Sequence, residues 1–210
     1  MIRDEMQEKI LKATLACIEE EGFQNVTVRK IAQRAGVNVA AINYYFSSKK
    51  QLMEELFEET MNESFFDKIH NYKDLWEQDP IQAISSFLND LFEELLSNQA
   101  IAKAHFYECF VNDNYDTYMV EKLNSFLKLL YTLVESELPH DDPKDKKMIL
   151  IQVFSSILVP SLLPKLIRDD FLEMELHKPE FRSKYIQLVI ETFMTMKIKR
   201  IDSYNNKEKT

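Results

Sequence analysis

Basic and hydrogen-bonding side chains are concentrated in one stretch, Thr27–Lys50, which reads TVRKIAQRAGVNVAAINYYFSSKK. From residue 22 to residue 53 there are five basic residues and no acidic one, although the formal net charge of the chain is -9. A local absence of negative charge of this kind is typical of a surface that binds a polyanion. Within the stretch, Asn43 has the side chain that pairs with adenine in the major groove of DNA, and Val39 or Ala40 could contact a thymine methyl group.

Two short helices joined by a tight corner would present these side chains on one surface. Thr27 is a favourable N-cap, because its hydroxyl can accept a hydrogen bond from a free N–H one turn later. Gly36 stands where a sharp turn needs a positive φ, and Asn38 can cap the second helix. The pattern predicts a helix-turn-helix. An amphipathic helix over about residues 3–21, ended by Gly22, would complete a three-helix head.

The composition divides the chain into this head and an acidic body. Residues 1–50 carry eight Lys and Arg against six Asp and Glu, and the other 160 residues carry 18 against 29, which gives net charges of +2 and -11. The chain contains only two glycines, which favours an all-helical fold over one with many β-turns. We therefore predict an all-α protein with three parts: a DNA-binding domain at 1–47, a helical ligand-binding and dimerisation domain at 48–201, and a polar tail at 202–210.

Apolar residues at helical spacing predict the helices of the body. The long helix capped by Ser47 or Ser48 would run from the head into the body, and the pattern is interrupted around Asn71–Asp79. Further helices are expected at about 80–95, 100–111 and 115–137. The stretch Met148–Leu163 is apolar on nearly all sides, so we expect it to pack on a second copy of the chain as well as on its own core. With the helix at about 179–199 it would form a four-helix homodimer interface through residues 143–163 and 179–199.

The body also contains a cluster of aromatic residues that admits two interpretations. One is a pocket for a small lipophilic or aromatic ligand, and the other is ordinary helical core. For each single residue the core interpretation is the more frequent one. The candidate ligand-binding residues are Trp76, Phe87, Phe92, His105, Phe106, Cys109, Phe110, Tyr118 and Phe126.

Other chemistry finds little support in the sequence. No Gly-rich phosphate loop, metal-ligand spacing or catalytic triad motif is present, so we predict neither an enzyme nor a cofactor or metal site. The residues Cys17 and Cys109 are too few for a disulfide framework. The N-terminus lacks the apolar region of a signal peptide, and the longest apolar run is too short to cross a bilayer. We therefore expect a cytoplasmic protein that does not bind membranes.

The N-terminal stretch resembles the TetR family of transcriptional regulators. The motifs that carry the resemblance are Gly22-Phe23, Thr27-Val28-Arg29-Lys30-Ile31-Ala32, Ala35-Gly36-Val37, Tyr44-Tyr45-Phe46 and Ser48-Lys49. The resemblance implies a homodimeric repressor of nine or ten helices that binds a palindromic operator in double-stranded DNA. It also implies a small-molecule effector that binds the body and releases the operator.

The same resemblance assigns DNA contacts to individual residues. The expected DNA-binding residues are Thr27, Arg29, Asn38, Val39, Ala40, Asn43, Tyr44, Tyr45 and Lys49. The family often has tyrosine where this chain has Asn43, so the contacts in the groove follow less directly from the resemblance. Two alternatives stay open at this point: a constitutive DNA-binding regulator without a ligand, and a helical adaptor that docks on an acidic protein.

Overall fold

The computed structural model describes residues 4–165 and 175–195, and all the regular structure in these two ranges is helical. The helices are α1 (Glu5–Glu21), α2 (Val28–Ala35), α3 (Val39–Phe46), α4 (Lys49–Met61), α5 (Lys73–Gln78), α6 (Pro80–Ser97), α7 (Gln99–His105), α8 (Tyr107–Asn112), α9 (Tyr118–Val134), α10 (Pro143–Leu162) and α11 (Pro179–Thr195). A 3₁₀ turn (Phe23–Asn25) joins α1 to α2. The predicted all-α fold is confirmed.

The predicted caps define the helix-turn-helix. The Thr27 hydroxyl accepts a hydrogen bond from the Lys30 N–H at 3.3 Å, and the Asn38 side chain accepts one from the Ala41 N–H at 2.7 Å. Between the two helices, Gly36 has φ +63°, which is the left-handed conformation that ends a helix at low cost for glycine. Each cap satisfies a backbone group that the helix leaves free, and together they fix the corner between α2 and α3.

Helix α4 connects the head to the body. Of the two serines considered as its cap, Ser48 fills the role, since its hydroxyl accepts a hydrogen bond from the Gln51 N–H at 3.1 Å. The helix continues from Met61 through a π-helical turn (Asn62–Asp67) into a last α-helical turn (Lys68–Asn71). A π-helical turn inserts an extra residue and changes the direction of the side chains that follow.

The body is divided into helices more finely than the sequence predicts. The interruption expected at 71–79 contains the short helix α5, which Trp76 anchors by donating a hydrogen bond from its indole N–H to the Ile69 carbonyl at 3.0 Å. The single helix expected at 100–111 is broken at Phe106 into α7 and α8. Helix α10 continues through Pro160 as far as Leu162. Residues 196–199 of the last predicted helix and the tail at 202–210 lie outside the described residues.

Two hydrophobic cores follow from this arrangement. The head core contains buried side chains of α1, α2 and α3, among them Ile10, Ile31 and Phe46, together with Leu52 and Leu56 of α4. The body core is formed by buried side chains from Met61, at the end of α4, to Ile190 of α11, and it is rich in phenylalanine. Helix α7 contributes to both cores, because Ile101 and Ala104 pack in the head and Ala102 packs in the body.

Among the described helices, none combines the length and the apolar character that a membrane crossing requires.

Candidate DNA-binding surface and internal cavities

Helix α3 exposes one face and buries the other. Ile42 and Phe46 lie in the head core, whereas Asn43 and Tyr44 are exposed, with 81% of the Tyr44 surface open to solvent. The predicted contact residues Thr27, Arg29, Asn38, Val39 and Ala40 are likewise exposed. An exposed helix of this kind, following a tight turn, has the geometry that enters the major groove of DNA.

The basic residues of α2 differ in whether their charge is neutralised within the head. Lys30 forms an ion pair with Glu21, and Arg34 forms a two-point ion pair with Glu20, both on α1. The hydrogen bonds from Arg34 lower the pKa of the Glu20 carboxyl. The Arg29 side chain makes no hydrogen bond or ion pair with any residue in the described part of the chain, so its charge is available to a partner.

Two of the predicted DNA contacts already have partners inside the protein. The Tyr45 hydroxyl donates a hydrogen bond to the Asp4 carboxylate at 3.0 Å, which joins α3 to the N-terminus of α1. The Lys49 ammonium donates to the Val26 carbonyl at 2.5 Å and lies 5.9 Å from the centre of the Phe23 ring. Both interactions orient the start of α4 and the end of α3 relative to the rest of the head.

The nine candidate ligand-binding residues have different surroundings in the described part of the chain. Most are core residues: Trp76, Phe87, Phe92, Cys109 and Phe126 are buried. Phe106 and Tyr118 are half-buried, and 76% of the Phe110 surface is exposed. His105 and Tyr118 each line a cavity, but these are two different cavities.

The cavity beside Tyr118 is an open cleft of about 620 Å³ between α4 and the start of α9. Its walls are strongly acidic, since five carboxylates face it alongside two tyrosines. The carboxylates are those of Glu54, Glu55, Glu58, Asp116 and Glu121. The cleft is therefore polar, in contrast to the apolar pocket expected from the aromatic residues of the sequence.

The cavity beside His105 is smaller, about 120 Å³, and lies where the head meets the body. His105 is buried, and its Nε2 lies 2.9 Å from the Thr60 hydroxyl of α4. Its ring packs 4.7 Å from the centre of the Phe57 ring, which in turn lies 5.7 Å from Phe23 of the head. Burial lowers the pKa of His105 to about 4, so the imidazole is neutral at pH 7.

Protonation of His105 should destabilise the fold as the pH falls. The unfolded chain binds the proton near pH 6.5 and the folded chain only near pH 4. The proton on His105 therefore has no effect on the free energy of unfolding above pH 6.5. As the pH falls from 6.5 to 4, the free energy of unfolding decreases by about 3 kcal/mol in total. We expect His105→Gln to lose less stability than the wild type over this window in urea unfolding. His70→Gln, which alters an exposed histidine, should follow the wild type, and parallel profiles for all three proteins would contradict the prediction.

An apolar surface lies on the last two described helices. Three exposed apolar side chains of α10 and a fourth just after its end follow one stripe at spacings of three, eight and four residues, and two more lie on α11. They are Met148, Ile151, Val159, Leu163, Phe181 and Leu188. Both ranges that the sequence assigned to a dimer interface thus present exposed apolar side chains in their described parts.

The head, with its exposed helix α3 and the unpaired Arg29, is a helix-turn-helix DNA-binding domain. The family model for bacterial regulatory proteins of the tetR family matches residues 10–56, which include α2, α3 and most of α1 and α4. Residues 10–56 are therefore a DNA-binding domain of the TetR type, and the rest of the chain resembles TetR regulators in fold. Its relatives regulate transcription and are not enzymes, in agreement with the prediction from the sequence.

Similar proteins extend the match beyond the head. The probable HTH-type transcriptional regulator YttP of Bacillus subtilis is 24% identical, over 86% of this chain and 88% of that protein. The HTH-type transcriptional regulator BetI of Vibrio vulnificus is 28% identical, but over only 45% of this chain and 48% of that protein. A TetR transcription regulator from Haloarcula marismortui has the same fold, with a TM-score of 0.71, 16% identity, and coverage of 91% of this chain and 98% of that one.

Proposed function

We propose that the protein is a homodimeric repressor that binds a palindromic operator and is released from it by a small ligand. The observation that carries the proposal is the exposed, acid-free surface of α2 and α3 on a chain that is otherwise acidic. We assign DNA binding to residues 1–47, and ligand binding and dimerisation to residues 48–201.

Direct readout of bases would come from the exposed face of α3. Asn43 supplies the amide that pairs with adenine, and Val39 and Ala40 supply apolar contacts for thymine. Tyr44, Thr27 and Arg29 surround this face, and their hydroxyl and guanidinium groups suit phosphate oxygens. The edge of the interface would be formed by Asn38, Tyr45 and Lys49. Because their side chains already form hydrogen bonds within the protein, we expect them mainly to position the helices of the head on the DNA.

Dimerisation would use the apolar stripe of α10 together with α11. Exposed apolar side chains in a contiguous stripe are typical of a protein–protein interface. A two-fold axis between two such bodies places the two heads on one side of the dimer. Two heads related in this way predict half-sites about one helical turn of DNA apart, or slightly more.

A ligand would act by favouring one arrangement of the heads over another. Helices α4 and α7 are the route for this effect, because both contact the head core and the body core. Most of the aromatic residues that suggested a lipophilic ligand are core residues, whereas the open cleft next to α4 is lined mainly by polar and acidic groups. The structure therefore gives more support to a polar ligand than to a lipophilic one.

Arginine substitutions on α2 test the DNA-binding surface. We expect Arg29→Ala to weaken binding to an operator duplex by about tenfold or more. The slope of log K against log salt should become smaller by about two per dimer, because each lost phosphate contact contributes about one. Arg34→Ala is the matched control on the same helix, and it should change the slope much less because its charge is paired with Glu20. Fluorescence anisotropy at four salt concentrations measures both quantities.

The duplexes for this test are palindromes from the DNA beside the coding region and scrambled sequences of equal composition. Specific binding predicts a preference for a palindrome that R34A retains. If no palindrome is bound more tightly than its scrambled counterpart, the proposed function is wrong. If R29A and R34A weaken binding equally, Arg29 contributes no more to DNA binding than Arg34 does.

A further inference from the structure

We propose that Asp4 is a positioning residue for DNA binding, which acts through Tyr45 on the exposed Tyr44 ring of α3. Asp4 precedes α1 and lies outside residues 10–56, which match the family model. The fold brings its carboxylate to α3, where the Tyr45 hydroxyl donates a hydrogen bond to Oδ2 at 3.0 Å. The inference rests on the proposed function, because it concerns the same DNA-binding surface.

An acidic residue is an unexpected neighbour for the helix that reads DNA. Residues 22–53 contain no Asp or Glu, and the fold nevertheless places the Asp4 carboxylate in contact with Tyr45. A negative charge close to the phosphates weakens binding to DNA of any sequence. A carboxylate at this place therefore calls for a role that offsets this effect.

The two carboxylate oxygens of Asp4 have different partners. Oδ1 accepts a hydrogen bond from the Met6 N–H at 3.0 Å and caps α1, and the Asp4 N–H donates to the Gln7 side chain at 3.3 Å. The cap alone does not require a charge, because serine and asparagine cap a helix about as well as aspartate does. The second oxygen has a separate role, which is to hold Tyr45.

The hydrogen bond to Asp4 limits what the Tyr45 hydroxyl can do. A phenol has one hydrogen to donate, and the phosphate oxygens of DNA only accept hydrogen bonds. While this hydrogen is donated to Asp4, Tyr45 cannot also donate it to a phosphate. The contribution of Tyr45 to DNA binding then comes from its ring, which the hydroxyl ties to the start of α1.

The Tyr45 ring supports an exposed side chain of α3. The rings of Tyr44 and Tyr45 meet edge to face, with their centroids 5.1 Å apart and their planes at 84°. Because 81% of the Tyr44 surface is open to solvent, the neighbouring ring is important for restricting its rotamers. A side chain that is ordered before binding loses less conformational entropy on binding. The link from Asp4 through Tyr45 to Tyr44 thus prepares the DNA-binding face.

Two substitutions of Asp4 test this link. Asp4→Ser and Asp4→Asn both remove the charge and keep a good N-cap, but only asparagine can cap through its oxygen and also donate its amide to the Tyr45 oxygen. We expect D4S to lower the ratio of palindrome to scrambled-duplex affinity by about tenfold per dimer, because each of the two heads must then order Tyr44 on binding. D4N should retain the wild-type ratio.

Glu5→Gln is the control for the loss of charge. It removes a carboxylate from the next residue, which is exposed and is not bonded to Tyr45. The effect of a charge on phosphates does not depend on sequence. E5Q should therefore bind both duplexes slightly more tightly and leave their ratio unchanged.

Tyr45→Phe keeps the ring and removes the hydroxyl, so it tests whether Asp4 acts through Tyr45. We expect Y45F to lower the same ratio by about tenfold, and D4S combined with Y45F to lower it by about tenfold rather than about a hundredfold, because both changes remove one hydrogen bond. Fluorescence anisotropy gives the affinities of the full chain. Thermal unfolding of each variant provides the structural control, since a loss of stability alone would leave the ratio unchanged.

The possible outcomes separate this proposal from its alternatives. If D4S binds the palindrome more tightly and at least as selectively as the wild type, Asp4 competes with a phosphate for Tyr45 and the proposal is wrong. It is also wrong if D4N loses as much selectivity as D4S, or if the losses in D4S and Y45F add. If D4S does not fold, a wild-type ratio in Y45F refutes the proposal. A wild type that prefers no palindrome refutes the proposed function and the role of Asp4 together, whereas a selective wild type and an equally selective D4S refute the role of Asp4 alone.

Discussion

Replacing Val159 with glutamate should convert a dimer into a 24.9 kDa monomer. Val159 lies on the apolar stripe of α10, and 49% of its surface is exposed in the single chain. A carboxylate there would have to be buried without a partner when two copies associate, which is costly. With one head per particle, operator affinity should fall by roughly 100-fold or more, because binding of the second head is no longer intramolecular.

Val111→Glu is the matched control for this experiment. Val111 is 60% exposed but lies on α8, outside the stripe, so the same substitution should change neither the mass nor the operator affinity. Sedimentation equilibrium at micromolar concentration gives the mass, and thermal unfolding shows that both variants fold. If V159E sediments as a dimer, the assignment of the interface to α10 and α11 is wrong.

Replacing Phe126 with alanine should destabilise the body by about 3–5 kcal/mol. Phe126 is fully buried, and its ring lies within 4.8–6.2 Å of the rings of Phe65, Phe66, Phe87 and Phe154, measured between centroids. The substitution leaves a cavity that four rigid aromatic side chains cannot easily fill. Urea unfolding at pH 7 measures the loss in the free energy of unfolding.

Phe110→Ala removes the same number of atoms from an exposed position. Because 76% of the Phe110 surface is open to solvent, this substitution should change the free energy of unfolding by no more than about 0.5 kcal/mol. The pair therefore distinguishes the two interpretations that the sequence left open for its aromatic residues. A cost below about 1 kcal/mol for F126A would show that its surroundings are loosely packed, as the walls of a ligand pocket can be.

Local interactions explain why the head was predictable from the sequence. The caps at Thr27, Asn38 and Ser48 and the turn at Gly36 involve residues three or four positions apart, so residue type and spacing were sufficient. The π-helical turn and the break at Phe106 were not foreseen, because each depends on how neighbouring helices pack.

The candidate sites were less predictable, since they depend on residues far apart in the chain. The hydrogen bond between Thr60 and His105 joins positions 45 residues apart, so only the fold shows that the two side chains meet. In the same way, Arg29, Lys30 and Arg34 are equivalent in the sequence. The packing of α1 on α2 neutralises two of them and leaves the third free.

The sharing of α7 between the two cores limits how the protein can be recombined with its relatives. A chimera joined after residue 47 would keep α1 to α3 but replace Leu52, Leu56, Ile101 and Ala104, all of which complete the head core. The transplanted head would then meet unmatched side chains from its new body. The head can therefore be exchanged between relatives only together with the surface of α4 and α7 on which it packs.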